Sequence, residues 1–238
     1  VRDDMPCDVR VCDLRDHTAV AELMPGIDTV VHLGNHPRLK HPQVTFNENV
    51  SINMNVFQAA AEAGVKKIVF ASTVQLIGSH VNERTVRYPP DPPVFPISEK
   101  TPPTPANTYA LSKTVSETML RYYADRCGLS CVAIRYPLLT FVGIEQRPRF
   151  HRIDADVPFE GFGILSLSDA AELCAAVLAT RLPGFRVYSP AVSGRCPDTP
   201  LPELMEKYYP DLSPDLPSLI DNTTITRETG WEPRDHLR

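Results

Sequence analysis

Three short, unbroken apolar runs constrain this chain more than any other feature: Thr29-Val-Val, Ile68-Val-Phe-Ala and Cys131-Val-Ala-Ile. Each is too short for a free-standing helix, and none alternates polar with apolar, so each reads as a strand buried on both faces. Between them lie stretches with helical periodicity, one over about 49–63 stopped by Gly64, the other over about 108–126 stopped by Gly128. Strand, helix, strand, helix in that order implies an α/β chain whose doubly wound parallel sheet carries helices on both faces. The pattern also predicts a first strand over 9–14, a short helix over 17–24, and a helix in "DAAELCAAVLATR" capped by Ser168. One more strand begins at Arg186, and short helices are expected over 201–209 and 223–229.

Composition narrows the function. A net charge of −5 and a pI near 5.8, with no basic face, argue against a nucleic-acid partner and for small-molecule chemistry. No apolar run reaches the roughly 18 residues of a membrane span and no leader pattern is evident, so the expectation is a cytoplasmic protein with no membrane partner. The six cysteines form no CxxC pair and read as small hydrophobes in a reducing compartment. His32, His36 and His41 are close in sequence, but nothing nearby completes a ligand set, and no metal is expected. Eight prolines crowd into 89–105, which marks an irregular excursion between two regular elements.

Ligands of doubly wound sheets sit at the carboxyl ends of the strands, so the residues where apolar runs stop are the candidates. These are Asp13 and Leu14, Gly34 and Asn35, Ser72 and Thr73, and Tyr136 and Pro137. Just after the proline-rich excursion comes "YALSK", with Tyr109 and Lys113 one helical turn apart. About 0.2 such pairs are expected by chance in a chain of this composition, so spacing alone says little. Tyr109, Lys113, Ser116 and Leu120 share one side of the helix, while Leu111, Val115, Met119 and Tyr122 line roughly the opposite side, which is expected to be the buried one. An ammonium one turn away favours the phenolate and makes Tyr109 a usable base, with a hydroxyl from Thr73 completing the site. The plainer alternative is a solvent face on an amphipathic helix, with Ser72 and Thr73 as ordinary chain-end residues.

Taken together, the motifs resemble the NAD-dependent epimerase/dehydratase family of the extended short-chain dehydrogenase/reductase superfamily. "CDLRD" at 12–16, "VVHLG" at 30–34, "NVSINMNVFQAAAEAGVKKIVFASTVQLIG" at 49–78, "PANTYALSKTVSE" at 105–117 and "AIRYP" at 133–137 occur in the family's order and spacing. "LSLSDAAELCAAVL", with Asp169, and the closing "TRETGWEP" match later segments, so the resemblance covers nearly the whole chain. It implies Thr73, Tyr109 and Lys113 as catalytic residues. Asp13, Leu14, Leu33, Gly34, Asn35, Asn49, Ala71, Ser72, Tyr109, Lys113, Tyr136 and Pro137 would contact NAD or NADP, and Thr73, Val74, Gln75 and Tyr109 a sugar-type substrate. It further implies a Rossmann-like domain over 1–140, a small loop-rich substrate lobe over 141–238 interleaved with the end of the sheet, and a homodimer.

Two departures shape the expectation. The family opens with a Gly-x-x-Gly-x-x-Gly turn that holds a diphosphate on backbone amides, and no such turn occurs among the eleven glycines here. The expected sheet is therefore N-terminally incomplete, lacking a first strand, helix and strand. From Arg135 to Asp169 is only 34 residues, which leaves little room for nucleotide-binding loops. The expected activity is hydride transfer at a hydroxyl of a sugar or nucleotide-sugar. A uronate-type sugar-acid or other small carbonyl dehydrogenase is the alternative, and a non-catalytic nucleotide-sensing or partner-binding protein on the same fold is a second. Thr73-Val-Gln-Leu offers no acidic pair for a dehydratase.

Overall fold

A computed structural model of the protein describes residues 6–36, 41–78, 93–140, 160–192, 201–212 and 218–234. Four parallel strands form the main sheet in the order β1 (Thr29–His32), β2 (Lys67–Thr73), β3 (Ser130–Tyr136) and β6 (Phe185–Tyr188). A separate parallel pair joins β4 (Leu138–Thr140) to β5 (Ile164–Ser166). The helices are α1 (His17–Ala21), α2 (Pro42–Glu62), α3 (Thr108–Cys127), α4 (Leu167–Ala179), α5 (Leu201–Tyr208) and α6 (Thr223–Thr229). The expected α/β class with a parallel sheet is what the chain adopts.

The unbroken apolar runs explain the layering. Along β2 and β3, Ile68, Phe70, Cys131 and Ala133 point to one face, where Val56, Phe57 and Ala60 of α2 meet Leu120 and Tyr123 of α3. The alternate residues Val69, Val132 and Ile134 point to the other, against Leu173 and Val177 of α4 and, beyond it, Ile225 and Trp231. Because side chains alternate along a strand, two apolar faces require an apolar residue at every position. Phe57 packs edge-on against Phe70 at 5.5 Å between ring centroids, so α2 is keyed to the middle of the sheet.

Four elements differ from the sequence expectation. Residues 9–14 form no strand: Val9 and Val11 are exposed, and Asp16 N turns back onto the Asp13 carbonyl. A strand needs a neighbour, and among the described residues none lies alongside this segment. For the same reason β1 is an edge strand with Val31 exposed, rather than buried on both faces. Helix α2 begins at Pro42, seven residues before the expected start, because proline suits the first turn, where its missing N–H has no partner to lose. Helix α4 is capped by Ser166, whose hydroxyl accepts from Asp169 N at 2.9 Å, and not by Ser168.

Lys67 ties the start of β2 to the end of α4. Its ammonium donates to the carbonyls of Val177 (2.8 Å), Leu178 (3.0 Å) and Thr180 (2.7 Å), the acceptors left over at the end of α4. Lys67→Met keeps the aliphatic stem but abandons these acceptors, and is expected to destabilise the fold by about 2 kcal/mol in urea unfolding.

Candidate active site

β2 carries Ala71, Ser72 and Thr73 to the carboxyl edge of the sheet, in parallel register with Ile134, Arg135 and Tyr136 of β3. Thr73 is buried and extended, and its hydroxyl accepts from Gln75 N at 3.3 Å, capping the 3-10 turn Val74–Ile77 that ends the strand. Gln75 follows with its Oε1 shielded from solvent and no hydrogen-bond partner among the described residues.

Helix α3 arrives at the same edge. Asn107 starts it, its Oδ1 accepting from Ala110 N at 2.8 Å. The half-buried Tyr109 lies in the first turn and Lys113 one turn later, only 2% exposed. The Lys113 ammonium donates to the Ala71 carbonyl at 2.8 Å, and lies 4.5 Å from the Phe70 ring centroid and 5.8 Å from that of Tyr109. Lys113 thereby places Tyr109's turn of the helix against the strand two residues before Thr73. Burial pushes the Lys113 ammonium down to about 8. Tyr136, the phenol at the end of β3, is raised by burial and stays neutral in the physiological range.

The expected burial of α3 is inverted. Leu111 and Tyr122 are exposed, whereas Ser112, Lys113, Ser116 and Glu117 are buried together with Leu120. The polar side faces inward because each of its groups has a partner there. Asn49 Nδ2 lies 3.4 Å from Ser112 Oγ, and Asn53 Nδ2 donates to Ser116 Oγ at 2.7 Å, so paired asparagines of α2 meet paired serines of α3. Asn53 Oδ1 in turn accepts from His32 Nε2 at 2.7 Å. Glu117 accepts from Ser72 Oγ (2.7 Å) and from Arg135 Nε (3.0 Å) and Nη2 (2.8 Å), and Arg135 Nη1 donates to the Thr101 carbonyl at 2.8 Å. A charged residue inside the apolar run "VAIRY" was the available sequence signal for this buried pair, since such a charge demands a counter-ion.

The other expected contacts divide. Leu33, Gly34 and Asn35 follow β1 at the same edge, and Tyr136 and Pro137 end β3 beside Thr73. Gly34 permits close packing: a Cβ there would meet Leu14 Cδ1 at 2.8 Å and His32 Cε1 at 3.0 Å. Asn49 is buried and its Oδ1 accepts from His36 N at 2.8 Å, while the Ser72 hydroxyl is turned to Glu117, so both act inside the protein. Asp13 is exposed, and the Arg15 guanidinium holds its carboxyl at about 2.

Comparison with known proteins places this arrangement. The model of the NAD dependent epimerase/dehydratase family matches residues 2–151. The chain belongs to that family. An NAD-dependent glucose-6-phosphate dehydrogenase of Haloferax volcanii is 34% identical over 56% of this chain and 52% of its own length. A uronate dehydrogenase of Pseudomonas syringae pv. tomato is 32% identical over 54% and 42%, respectively. An L-arabinose 1-dehydrogenase (NAD(P)(+)) of Haloferax volcanii is 27% identical over 95% of this chain and 82% of its own. The first two matches thus span about half of each relative. Among solved structures, the glucuronic acid dehydrogenase from Chromohalobacter salexigens superposes with a TM-score of 0.66 at 22% identity, covering 100% of this chain and 74% of that one.

The geometry fits one half of a nicotinamide dinucleotide. The carboxyl ends of β1, β2 and β3 lie side by side, with the buried Lys113 ammonium on the Ala71 carbonyl near the end of β2. At the diphosphate end, no glycine-rich turn among the described residues presents consecutive amides.

His32 supplies a pH test of the buried network. Packed between Phe57 and Phe70, and close to the Lys113 charge, it is pushed down to about 4, chiefly by burial. A neutral histidine in the fold and an ordinary one in the unfolded chain means the unfolded state binds more protons between about pH 4 and 6.5. Stability should therefore fall as pH drops through that window, by up to roughly 3 kcal/mol from this residue. In urea unfolding at pH 7 and pH 4.5, His32→Gln is expected to show a smaller pH-dependent loss than wild type.

Proposed function

We propose that this chain provides the proton-transfer half of an NAD(P)-dependent dehydrogenase acting on a hydroxyl of a sugar, sugar phosphate or sugar acid that carries no nucleotide. The observation that carries the reading is the Lys113 ammonium set against both the Ala71 carbonyl, two residues before Thr73, and the Tyr109 ring. The dehydrogenases of glucose 6-phosphate, uronate and L-arabinose among its relatives favour this substrate class over a nucleotide-sugar. So does the short stretch between Arg135 and Asp169.

NAD or NADP, when bound at the strand ends, supplies the hydride acceptor. Lys113 and the residues after β1 and β3 would hold its ribose and nicotinamide. Tyr109, as phenolate, takes the proton of the substrate hydroxyl, which lets electron density leave the adjacent carbon with the hydride. Lys113 keeps that phenolate ionised through its nearby positive charge. Thr73 donates its hydroxyl hydrogen to the reacting oxygen and orients it, with Val74 and Gln75 lining the substrate side. The unpartnered Gln75 Oε1 suits a sugar hydroxyl.

On this reading residues 1–140 form the cofactor-binding body and 141–238 the substrate lobe, with β6 returned to the main sheet. Exposed Met54, Leu111 and Tyr122 on α2 and α3 support a homodimer through those helices. The five described cysteines are all unpaired, which supports a reducing, cytoplasmic setting.

The decisive assay follows nicotinamide reduction by the full-length protein with free sugars, uronates, sugar phosphates and nucleotide-sugars. Turnover is expected with one of the first three classes, and Tyr109→Phe should lower kcat by about 10² to 10⁴. Equal turnover by wild type and variant removes Tyr109 from the mechanism. Light scattering should give twice the chain mass, and Leu111→Glu combined with Tyr122→Glu should give the monomer.

A further inference from the structure

We propose that the buried Glu117–Arg135 pair is a positioning device, holding the strand end that carries Thr73 in fixed register with the helix that carries Tyr109 and Lys113. The inference rests on the catalytic reading given above. Glu117 and Arg135 are 6% and 4% exposed, and their carboxylate and guanidinium meet side by side, at 3.0 Å through Nε and 2.8 Å through Nη2. Such a fork fixes an angle as well as a distance.

Where the pair attaches is the main point. Glu117 lies one helical turn beyond Lys113 on α3, and the two grip consecutive residues of β2: Lys113 takes the Ala71 carbonyl at 2.8 Å, and Glu117 takes the Ser72 hydroxyl at 2.7 Å. Thr73 is the next residue. Arg135 is the β3 residue in register with Ser72, so the neighbouring strand is tied to the same carboxylate. The remaining guanidinium arm donates to the Thr101 carbonyl at 2.8 Å, in the segment that leads into the Asn107 cap and Tyr109. One ion pair thus secures both strand ends, the helix and the segment entering it.

Stability alone is a poor account of this arrangement, because well-packed apolar residues of similar volume usually replace a buried pair without loss. Position is a better one, since a misplacement of about 1 Å at a reacting group costs about a hundredfold in rate. Glu117 touches no reacting atom on this reading and acts through Ser72 and Arg135.

The test is the double variant Glu117→Leu/Arg135→Met, which keeps the volume and removes both charges. It is expected to fold with a Tm close to that of wild type, since the gain from removing a buried pair offsets the partners lost by Ser72 and Thr101. Amide exchange at Thr73 and Val74 should accelerate about tenfold. As water reaches the loosened site, the Lys113 titration, read by NMR on lysine-labelled protein without cofactor, should rise by about one unit toward the ordinary value. With a substrate in hand, kcat should fall about ten- to a hundredfold while KM stays within about twofold. A folded double variant with wild-type exchange at Thr73 and Val74 and an unmoved Lys113 titration overturns the proposal. If the double variant does not fold, Ser72→Ala decides alone: it cuts only the link to the strand, and unchanged exchange at Thr73 overturns the proposal equally. Wild-type protein inactive on every sugar class would sink the catalytic reading, while exchange and titration would still decide whether Glu117 sets the strand end.

Discussion

Everything at the carboxyl edge of the sheet depends on a helix that buries its polar side. Ser112, Lys113, Ser116 and Glu117 of α3 are withdrawn from water, and a buried polar group without a partner costs about 1 to 3 kcal/mol, more when charged. The fold meets that demand by supplying specific acceptors and donors: Asn49 and Asn53 from α2, the Ala71 carbonyl and Ser72 from β2, and Arg135 from β3. Because hydrogen bonds tolerate far less displacement than apolar contacts, α3 has little freedom to slide or rotate on the sheet. An apolar interface of the same area would hold the helix as firmly but would fix its rotation less sharply.

The buried residues of α3 therefore serve two purposes. Leu120 and Tyr123 provide the apolar contact with Phe57 and the sheet that gives the interface its strength. The polar residues set the rotation at which that contact is made, and the rotation decides where Tyr109 points. His32 extends the same logic to the edge strand: its ring stacks on Phe70 while its Nε2–H finds Asn53, so β1, β2, α2 and α3 share one aromatic and amide cluster. That cluster lies directly behind Lys113, whose ammonium also rests over Phe70.

Much of this was legible in the sequence, and the failures have a common cause. β2 and β3 declared themselves because a strand covered on both faces must be apolar throughout, and α3 because the periodic run and Gly128 mark its body and its end. The candidate residues Thr73, Tyr109 and Lys113 followed from position at strand and helix ends. Residues 9–14 looked like a strand by composition, yet pairing depends on a neighbour that no local pattern reports. The buried side of α3 was misread because amphipathicity equates apolar with inside, which holds only when the polar residues have no partners waiting. Those partners, Asn53 and Arg135, lie 63 residues before Ser116 and 18 residues after Glu117. The separation of polar residues along the chain hides a match that is evident only across the fold.

The same partnership explains how one lysine can hold the structure together and, on the proposed reading, still be available for chemistry. An ammonium has three protons in a threefold arrangement, and the Ala71 carbonyl takes one. That single bond anchors Lys113 at the strand end, and its other two protons meet no acceptor among the described residues. Its burial, which pulls the ammonium down to about 8, makes the charge responsive to what enters: an anionic partner such as a phenolate raises it, and further desolvation lowers it. A lysine fully paired with a carboxylate would have lost that responsiveness. In this chain the carboxylate one turn away, Glu117, is committed to Arg135, and on the proposed reading the charge of Lys113 is left to act on Tyr109.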